Sequence, residues 1–106
     1  MHISHQKPDW DFEGIVYVVE RDGLYKIGKT FDLDQRLKAL RKHKKTVTVI
    51  HVIETNKRES VEYALHRTFE HKRIKLGNGE TGQTEWFMLT DQDIRDIKTI
   101  PSKYII

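Results

Sequence analysis

The pattern of hydrophobic and polar positions begins with two short runs typical of strands. Ile15 to Glu20 is a β-branched and aromatic run, and Leu24 to Thr30 has the same extended character. Between them stands Arg21-Asp22-Gly23, a combination typical of tight turns. Together these segments predict a β-hairpin.

An amphipathic helix is predicted directly after the hairpin. Leu33, Leu37 and Leu40 recur at helical spacing and form one apolar stripe. Thr30 and Asp32 both have side chains suited to cap the start of this helix.

A third strand and a longer helix follow. Residues 46–55 are rich in valine and isoleucine, which indicates a strand that is buried on at least one face. Residues 57–72 are predicted to be helical, with Asn56 as the cap. The apolar face of this helix consists of Val61, Ala64, Leu65, Thr68 and Phe69.

The last third of the chain is predicted to contain a loop, a strand and a short helix. Residues 76–83 include three glycines and an asparagine and indicate a loop, and residues 84–89 then read as extended. Thr90 followed by Asp93 resembles a capping box, and Pro101 ends the helix. This order of elements predicts a small α+β sandwich, with helices packed against a mainly antiparallel sheet.

Length and composition limit the organisation and the chemistry. A chain of 106 residues with 37% hydrophobic residues is sufficient for one compact domain. We expect an N-terminal arm at 1–13, a domain at 14–98 and a C-terminal tail at 99–106. The absence of cysteine excludes disulfides, thiolate zinc sites and cysteine nucleophiles.

The same composition predicts a cytoplasmic protein without a membrane span. No apolar run approaches the roughly 20 residues that a transmembrane helix requires. Residues 1–7 are polar and contain no apolar block, which argues against a signal peptide.

Charge is distributed unevenly along the chain. The formal net charge is only +3, but residues 26–75 contain fourteen basic and six acidic side chains. Six Lys and Arg residues fall within 36–45 without an acidic residue, which suits a polyanion such as a phosphate backbone. A solvated helix face is the alternative interpretation.

Polar side chains beside the apolar faces are the candidates for chemistry. Arg36 lies about 60° from Leu33 around its helix, so its guanidinium either reaches the rim of the sheet or covers apolar surface. Glu62 and His66 are four residues apart and share a flank. A single glutamate is chemically sufficient to hold Mg²⁺ with waters and a substrate phosphate, although such a glutamate is commonly half of a surface ion pair. Tyr17 alternates with apolar strand residues, and a lone tyrosine at such a position is more often part of the core than a catalyst.

Several segments resemble the GIY-YIG nuclease superfamily. They comprise Val16-Tyr17-Val18-Val19, the sequence YKIGKT at 25–30, Asp32 with Arg36-Leu37, the E-x-x-L-H pattern at 62–66, and EWF at 85–87. In particular they are similar to the short phage and bacterial branch of that superfamily.

The resemblance implies a three-stranded, mainly antiparallel sheet flanked by helices, and a metal-dependent endonuclease acting on DNA. It implies that Tyr17 positions or deprotonates the attacking water and that Arg36 contacts the scissile phosphate. It also implies that Glu62 anchors Mg²⁺ or Mn²⁺.

The sequence departs from the family pattern at three places. The first motif has Ile15 and Val16 where the family name has Gly and Ile, although Tyr17 keeps its place. Lys26 stands at the tyrosine position of the second motif, and period-two alternation places Tyr25 on the opposite face. Lys26 should instead share the face of Gly28. Leu40 stands where some members have a histidine, and His66 is the expected replacement.

The predicted site therefore contains two groups of residues. The catalytic group is Tyr17, Lys26, Arg36, Glu62 and His66, with Glu62 as the metal ligand. The DNA-binding group is Gly28, Lys29, Arg41, Lys42, Lys44 and Lys45. We expect a monomer or a weak homodimer. Two alternatives remain, a nucleic-acid-binding module of the same fold with weak or no catalysis, and an interaction domain that uses the acidic C-terminal stretch and the apolar tail.

Overall fold

The computed structural model of the protein describes residues 11–42, 45–74 and 86–105. These residues form three helices and six strands. The strands are β1 (Gly14–Arg21), β2 (Leu24–Thr30), β3 (Thr48–Thr55), β4 (Arg73–Ile74), β5 (Trp86–Phe87) and β6 (Lys103–Tyr104). The helices are α1 (Leu33–Leu40), α2 (Arg58–Thr68) and α3 (Asp91–Lys98), and a short 3₁₀ helix (Glu70–Lys72) follows α2.

The predicted β-hairpin is confirmed. Strands β1 and β2 pair antiparallel, and the pair Arg21 and Leu24 closes a two-residue turn. Asp22 and Gly23 both have positive φ, at 53° and 81°, which matches the right-handed twist of the flanking strands. The side chain of Glu20 accepts a hydrogen bond from the Gly23 N–H at 2.7 Å.

The α+β class is confirmed, but a sheet of three strands is not. The described residues form one six-stranded mixed sheet in the order β4-β5-β2-β1-β3-β6, in which only β3 and β6 pair in parallel. The three added strands have two residues each and lie towards the edges. The predicted extended segment at 84–89 contains β5, whereas β4 and β6 are too short to show a period-two pattern and were not predicted.

Helices cover both faces of the sheet. Val16 and Val18 face α2 and α3, in one apolar core with Leu65 and Ile97. Tyr17 and its strand neighbours on the other face pack against α1 in a second core. The alternation of side chains along β1 thus divides the interior into two layers.

The helix starts are set by polar side chains. Asp32 caps α1 by accepting the Gln35 N–H, and Thr90 and Asp93 form the predicted capping box of α3. The predicted cap of α2 at Asn56 is wrong, since α2 starts after Lys57 and no side chain at that position caps it. Instead, the buried Asp11 accepts hydrogen bonds from two N–H groups in the first turn of α2.

Several predicted segments lie partly or wholly outside the described residues. These include the loop at 76–83 and most of the N-terminal arm at 1–13. The longer helix ends at Thr68 rather than at residue 72, and its continuation is the 3₁₀ helix. Among the described residues, no helix is long and apolar enough to cross a membrane.

Candidate functional site

Tyr17 and Arg36 meet on the α1 face of the sheet. The Arg36 Nη1 lies 3.5 Å from the Tyr17 hydroxyl, at the long limit of a hydrogen bond. Tyr17 is fully buried and its phenol lies over Gly28, its partner on β2. A Cβ at Gly28 would collide with the phenol, so this glycine allows the close approach of a side chain rather than forming a strand bulge.

Lys29, the residue after Gly28 on β2, forms an ion pair with Glu62 of α2. The Lys29 Nζ lies 2.9 Å from the Glu62 Oε1. The Glu62 side chain is 11% exposed and that of Lys29 is 38% exposed, so the pair is partly removed from water. The alternative interpretation of Glu62 as half of an ion pair thus describes the contact in the structure, with Lys29 as the partner.

Two adjoining clefts contain these side chains. The Glu62 cleft, of about 680 Å³, is lined by Lys29, Glu62 and His66 among others. The Arg36 cleft, of about 340 Å³, is lined by Lys29, Arg36 and Arg58 among others. Because Lys29 lines both clefts, its side chain is where they meet.

His66 connects α2 to β2. Its Nε2 lies 2.7 Å from the Ile27 carbonyl oxygen, and its Nδ1 lies 3.5 Å from the Arg73 guanidinium. A carbonyl oxygen only accepts, so Nε2 carries the proton and Nδ1 is the acceptor towards Arg73. The ring also packs edge-on against Phe87, which fixes its orientation.

Lys26 lies on the face of Gly28, as predicted. It pairs with Val19 on β1, while Gly28 pairs with Tyr17, so all four residues share one side of the sheet. Lys26 is only 3% exposed, and its ammonium lies 5.8 Å from the centre of the Trp86 ring. The lysine therefore lies inside the protein beside the tyrosine, and not on the open surface.

The described residues of the predicted DNA-binding group at 41–45 lie beyond the C-terminal end of α1. The Arg41 guanidinium donates to the Val47 carbonyl oxygen at 2.9 and 3.3 Å, so it also ties the helix end to the following segment. Lys42 and Lys45 are exposed. Lys44 lies outside the described residues.

Comparison with known proteins identifies the family. The family model of the T5orf172 domain matches residues 14–100. The chain belongs to the T5orf172 domain family. Neither a curated protein nor a solved structure matches it.

This match corrects the family expected from the short motifs. The T5orf172 domain is a different family from GIY-YIG, so the assignment to GIY-YIG is wrong. Segments such as YKIGKT specify a local hairpin and its glycine, whereas the family model spans nearly the whole folded domain. Motifs of a few residues fix local geometry without fixing family membership.

The T5orf172 domain is a nuclease-like, DNA-binding domain family. This is consistent with a nucleic-acid-related function and makes DNA a plausible partner. The side chains of the two clefts agree with such a function, because they supply cations suited to phosphate. These cations are Lys29, Arg36, Arg58, Arg67 and Arg73.

The donors in this T5orf172 domain fit a metal ion only with help from a substrate. Within residues 11–42, 45–74 and 86–105, no group of three or more His, Asp or Glu side chains is arranged to hold a metal. Glu62 is a carboxylate on the cleft wall, and one or two carboxylates with substrate phosphates are a common Mg²⁺ environment in enzymes. A cation at the Glu62 Oε1 would have to share or replace the contact with Lys29.

Two further side chains of this T5orf172 domain were missed by the sequence analysis. Phe31 is 70% exposed, and the Arg58 guanidinium lies 3.5 Å from the centre of its ring. In the sequence, Phe31 is a single apolar residue between the end of β2 and the cap of α1. A single position shows no periodicity, so the hydrophobic pattern could not identify it as a functional residue.

Glu59 holds Arg58 in this position. The Arg58 Nε lies 2.7 Å from the Glu59 Oε2, while the Glu59 Oε1 accepts the Phe12 N–H. Burial raises the pKa of the Glu59 carboxyl, but the hydrogen bond from Phe12 and the hydrogen bond and charge of Arg58 together lower that pKa below its usual 4.5. The carboxylate is therefore ionised when it orients the guanidinium.

Proposed function

We propose that this protein is a metal-dependent endonuclease that hydrolyses phosphodiester bonds in DNA. The observation that carries the proposal is the meeting of the two clefts at Lys29, with Arg36 in one cleft and Glu62 in the other. Family membership supports it independently, since T5orf172 domains are nuclease-like.

Arg36 and Lys29 are the proposed phosphate ligands. A guanidinium and an ammonium beside one phosphate offset the negative charge that develops during hydrolysis. Because both side chains line the Arg36 cleft, a phosphate placed there would be contacted from the helix and from the strand.

Tyr17 is proposed to position Arg36. Tyr17 is fully buried, so its position supports a role through the Arg36 guanidinium rather than through direct contact with bulk water. The buried Lys26 lies on the same face of the sheet as Tyr17. We propose that these two residues help to orient the phosphate-binding side chain of Arg36.

Glu62 is the proposed metal ligand. A bound Mg²⁺ or Mn²⁺ would polarise the phosphoryl oxygen and lower the pKa of a bound water. When DNA enters, a phosphate would attract Lys29 and leave the Glu62 carboxylate available for the cation. His66, whose Nε2–H is held by the Ile27 carbonyl, presents Nδ1 towards Arg73 on the same cleft wall and is the proposed proton acceptor there.

Cleavage of plasmid and oligonucleotide DNA with and without Mg²⁺ tests this proposal. We expect Glu62→Gln to abolish cleavage and Arg36→Ala to lower kcat by about 100-fold or more, the usual cost of removing one charge-stabilising donor. For Tyr17→Phe we expect a fall in kcat with little change in KM, because the guanidinium remains but is less well held.

The matched control is Glu54→Gln, which changes an exposed glutamate on β3. This variant should cleave like the parent. Cleavage that persists in Glu62→Gln, or that does not require a divalent metal, would contradict the mechanism. Equal losses in KM and kcat for Tyr17→Phe would assign Tyr17 to binding rather than to positioning.

A binding module without cleavage is the second candidate. This candidate is favoured by the ion pair between Lys29 and Glu62, because Lys29 competes with a metal ion for the Glu62 carboxylate. Salt-sensitive DNA binding by the parent, without cleavage of any tested substrate in Mg²⁺ or Mn²⁺, would establish this alternative.

A further inference from the structure

We propose that Phe31 is a stacking platform for an unpaired nucleobase, and that the DNA bound by this protein is therefore single-stranded or locally unpaired at the site. This inference rests on the proposed DNA-binding function and names the class of substrate. A lone exposed phenylalanine is common on protein surfaces and needs no explanation. Here its support, its position and its neighbours point to a ligand.

The Phe31 ring is held from one side. The Arg58 guanidinium lies 3.5 Å from the ring centre, and Arg58 is itself fixed by Glu59 at 2.7 Å. Gly14 makes room for this arrangement, since a Cβ there would lie 2.6 Å from the Arg58 Cδ. A ring that is covered on one face by a fixed cation and is still 70% exposed presents its other face to solvent.

The backbone around Phe31 is also fixed. The Thr30 hydroxyl contacts the Asp32 N–H and the Asp32 carbonyl oxygen at 3.1 Å, and the Asp32 side chain caps α1. The ring is thus presented from a short, hydrogen-bonded turn between a strand and a helix. A platform that is ordered before binding loses less entropy when a ligand stacks on it.

The surroundings of the ring match a nucleotide. Phe31 lies in the Arg36 cleft, where Lys29 and Arg36 are available for a phosphate. The carboxylate in that cleft, from Asp32, is engaged in the helix cap. Aromatic rings beside a basic groove are the usual means of binding single strands without sequence preference.

The adjoining Glu62 cleft also holds an exposed aromatic side chain beside cations, together with the carboxylates of Glu59, Glu62 and Glu70. Tyr63 is 65% exposed and lines that cleft together with Arg67 and Arg73. An exposed aromatic side chain therefore stands in each cleft, on either side of the shared Lys29. In a continuous duplex the bases are stacked on each other, so neither ring would reach a base face.

Equilibrium binding without metal tests this inference separately from cleavage. Fluorescence anisotropy in EDTA would compare one oligonucleotide as a single strand, as a duplex and as a single strand with consecutive abasic positions. We expect tighter binding of the single strand than of the abasic strand, by about 5- to 150-fold, the range of one stacked base.

The variants use the second aromatic side chain on Arg58 as a matched control. Phe31→Leu should lose the preference for the base-bearing strand, Phe31→Trp should keep it, and Phe12→Leu should behave like the parent. Phe12 is 47% exposed, and the Arg58 guanidinium lies 5.7 Å from its ring centre.

The outcomes separate this inference from the proposed function. Equal affinity of the parent for the base-bearing and abasic strands would overturn the stacking site even if a variant failed to fold. Equal losses in Phe31→Leu and Phe12→Leu would also overturn it and assign Phe31 to packing on Arg58. Loss of the base preference in Phe31→Leu, with no cleavage by the parent, would support the stacking site and contradict the proposed endonuclease activity.

Discussion

At the scale of single residues, the contact between Gly28 and Tyr17 determines where the phenol lies. The ring crosses from β1 over β2 because the partner position carries no side chain. Its hydroxyl thereby reaches the guanidinium of Arg36 from the neighbouring helix. The absence of a Cβ at Gly28 thus allows the Tyr17 side chain to connect the sheet to Arg36, the proposed phosphate-binding residue.

We predict that Gly28→Ala destabilises the protein by about 1–3 kcal/mol, the usual cost of forcing extra volume into a packed site. The added methyl group would displace the Tyr17 ring, so the contact with Arg36 would be lost as well. Urea unfolding of the parent, Gly28→Ala, Tyr17→Leu and the double variant measures the coupling. If the two changes are simply additive, the clash with Tyr17 is not the cause of the loss.

The sequence allowed single residues of the candidate site to be proposed, but it was less informative about which residues contact each other. Tyr17 and Arg36 were expected together, and the structure places them in contact. Glu62 and Lys29 were expected separately, and their ion pair was not foreseen, because 33 residues separate them in sequence. A helical spacing rule reaches only three or four residues along the chain.

At the scale of elements, local patterns were sufficient where a local hydrogen bond sets the boundary. The hairpin turn and the capping box of α3 are formed by residues within three positions of each other. The start of α2 is set instead by Asp11, whose carboxylate accepts a hydrogen bond from the Glu59 N–H, 48 residues away in sequence. Capping rules read from adjacent residues cannot identify such a cap.

The capping carboxylate of α3 makes the stability of the protein depend on pH. Burial raises the pKa of Asp93, but the ion pair with Lys72 and the hydrogen bonds of the Thr90 backbone and side chain lower it below the usual 3.8. A carboxyl whose pKa is lower in the folded state favours folding when ionised. Its stabilisation is complete above the usual value and is lost as the pH falls through 3.8 towards the lower folded pKa.

We predict that Asp93→Asn lowers the free energy of unfolding at pH 7 and reduces the loss of stability on acidification. The difference between parent and variant should therefore shrink as the pH falls below about 4. Urea midpoints from pH 7 to pH 2.5 measure this. Asp91→Asn, which changes an exposed carboxylate in the same turn, is the control. A constant difference between Asp93→Asn and the parent at all pH values would show that the charge of Asp93 is not responsible.

At the scale of the whole molecule, the sheet separates two helices of different charge, α1 and α3. Helix α1, with the exposed Lys42 and Lys45 beyond its end, covers the face of Tyr17. Helix α3, with three aspartates and two basic residues among its eight residues, packs on the opposite face. Because α2 lies on the same face as α3, the basic region 26–75 contributes to both faces, and the contrast in charge is one between α1 and α3.

This arrangement predicts which lysines contact DNA. About eight residues of helix, or ~12 Å, separate the Arg36 cleft at the start of α1 from its basic end. A strand whose phosphate lies at Arg36 would place neighbouring phosphates within reach of Lys42 and Lys45. Each phosphate contact that is removed should reduce the slope of log K against log salt by about 0.7 on single strands and ~0.9 on duplexes.

We therefore expect the double variant Lys42→Gln/Lys45→Gln to bind a single-stranded oligonucleotide with a salt slope shallower by about 1.4 than that of the parent. Affinity titrations at four salt concentrations between 50 and 200 mM, in EDTA, would measure it. The control is Lys98→Gln, an exposed lysine of α3 on the other face of the sheet, whose slope should equal that of the parent. Equal slopes for the double variant and the parent would place the DNA elsewhere, and a shallower slope for Lys98→Gln would place it on the α3 side. Lys42 and Lys45 are exposed at the basic end of α1. Either result would therefore show that the DNA strand flanking the phosphate at Arg36 and Lys29 does not run along α1.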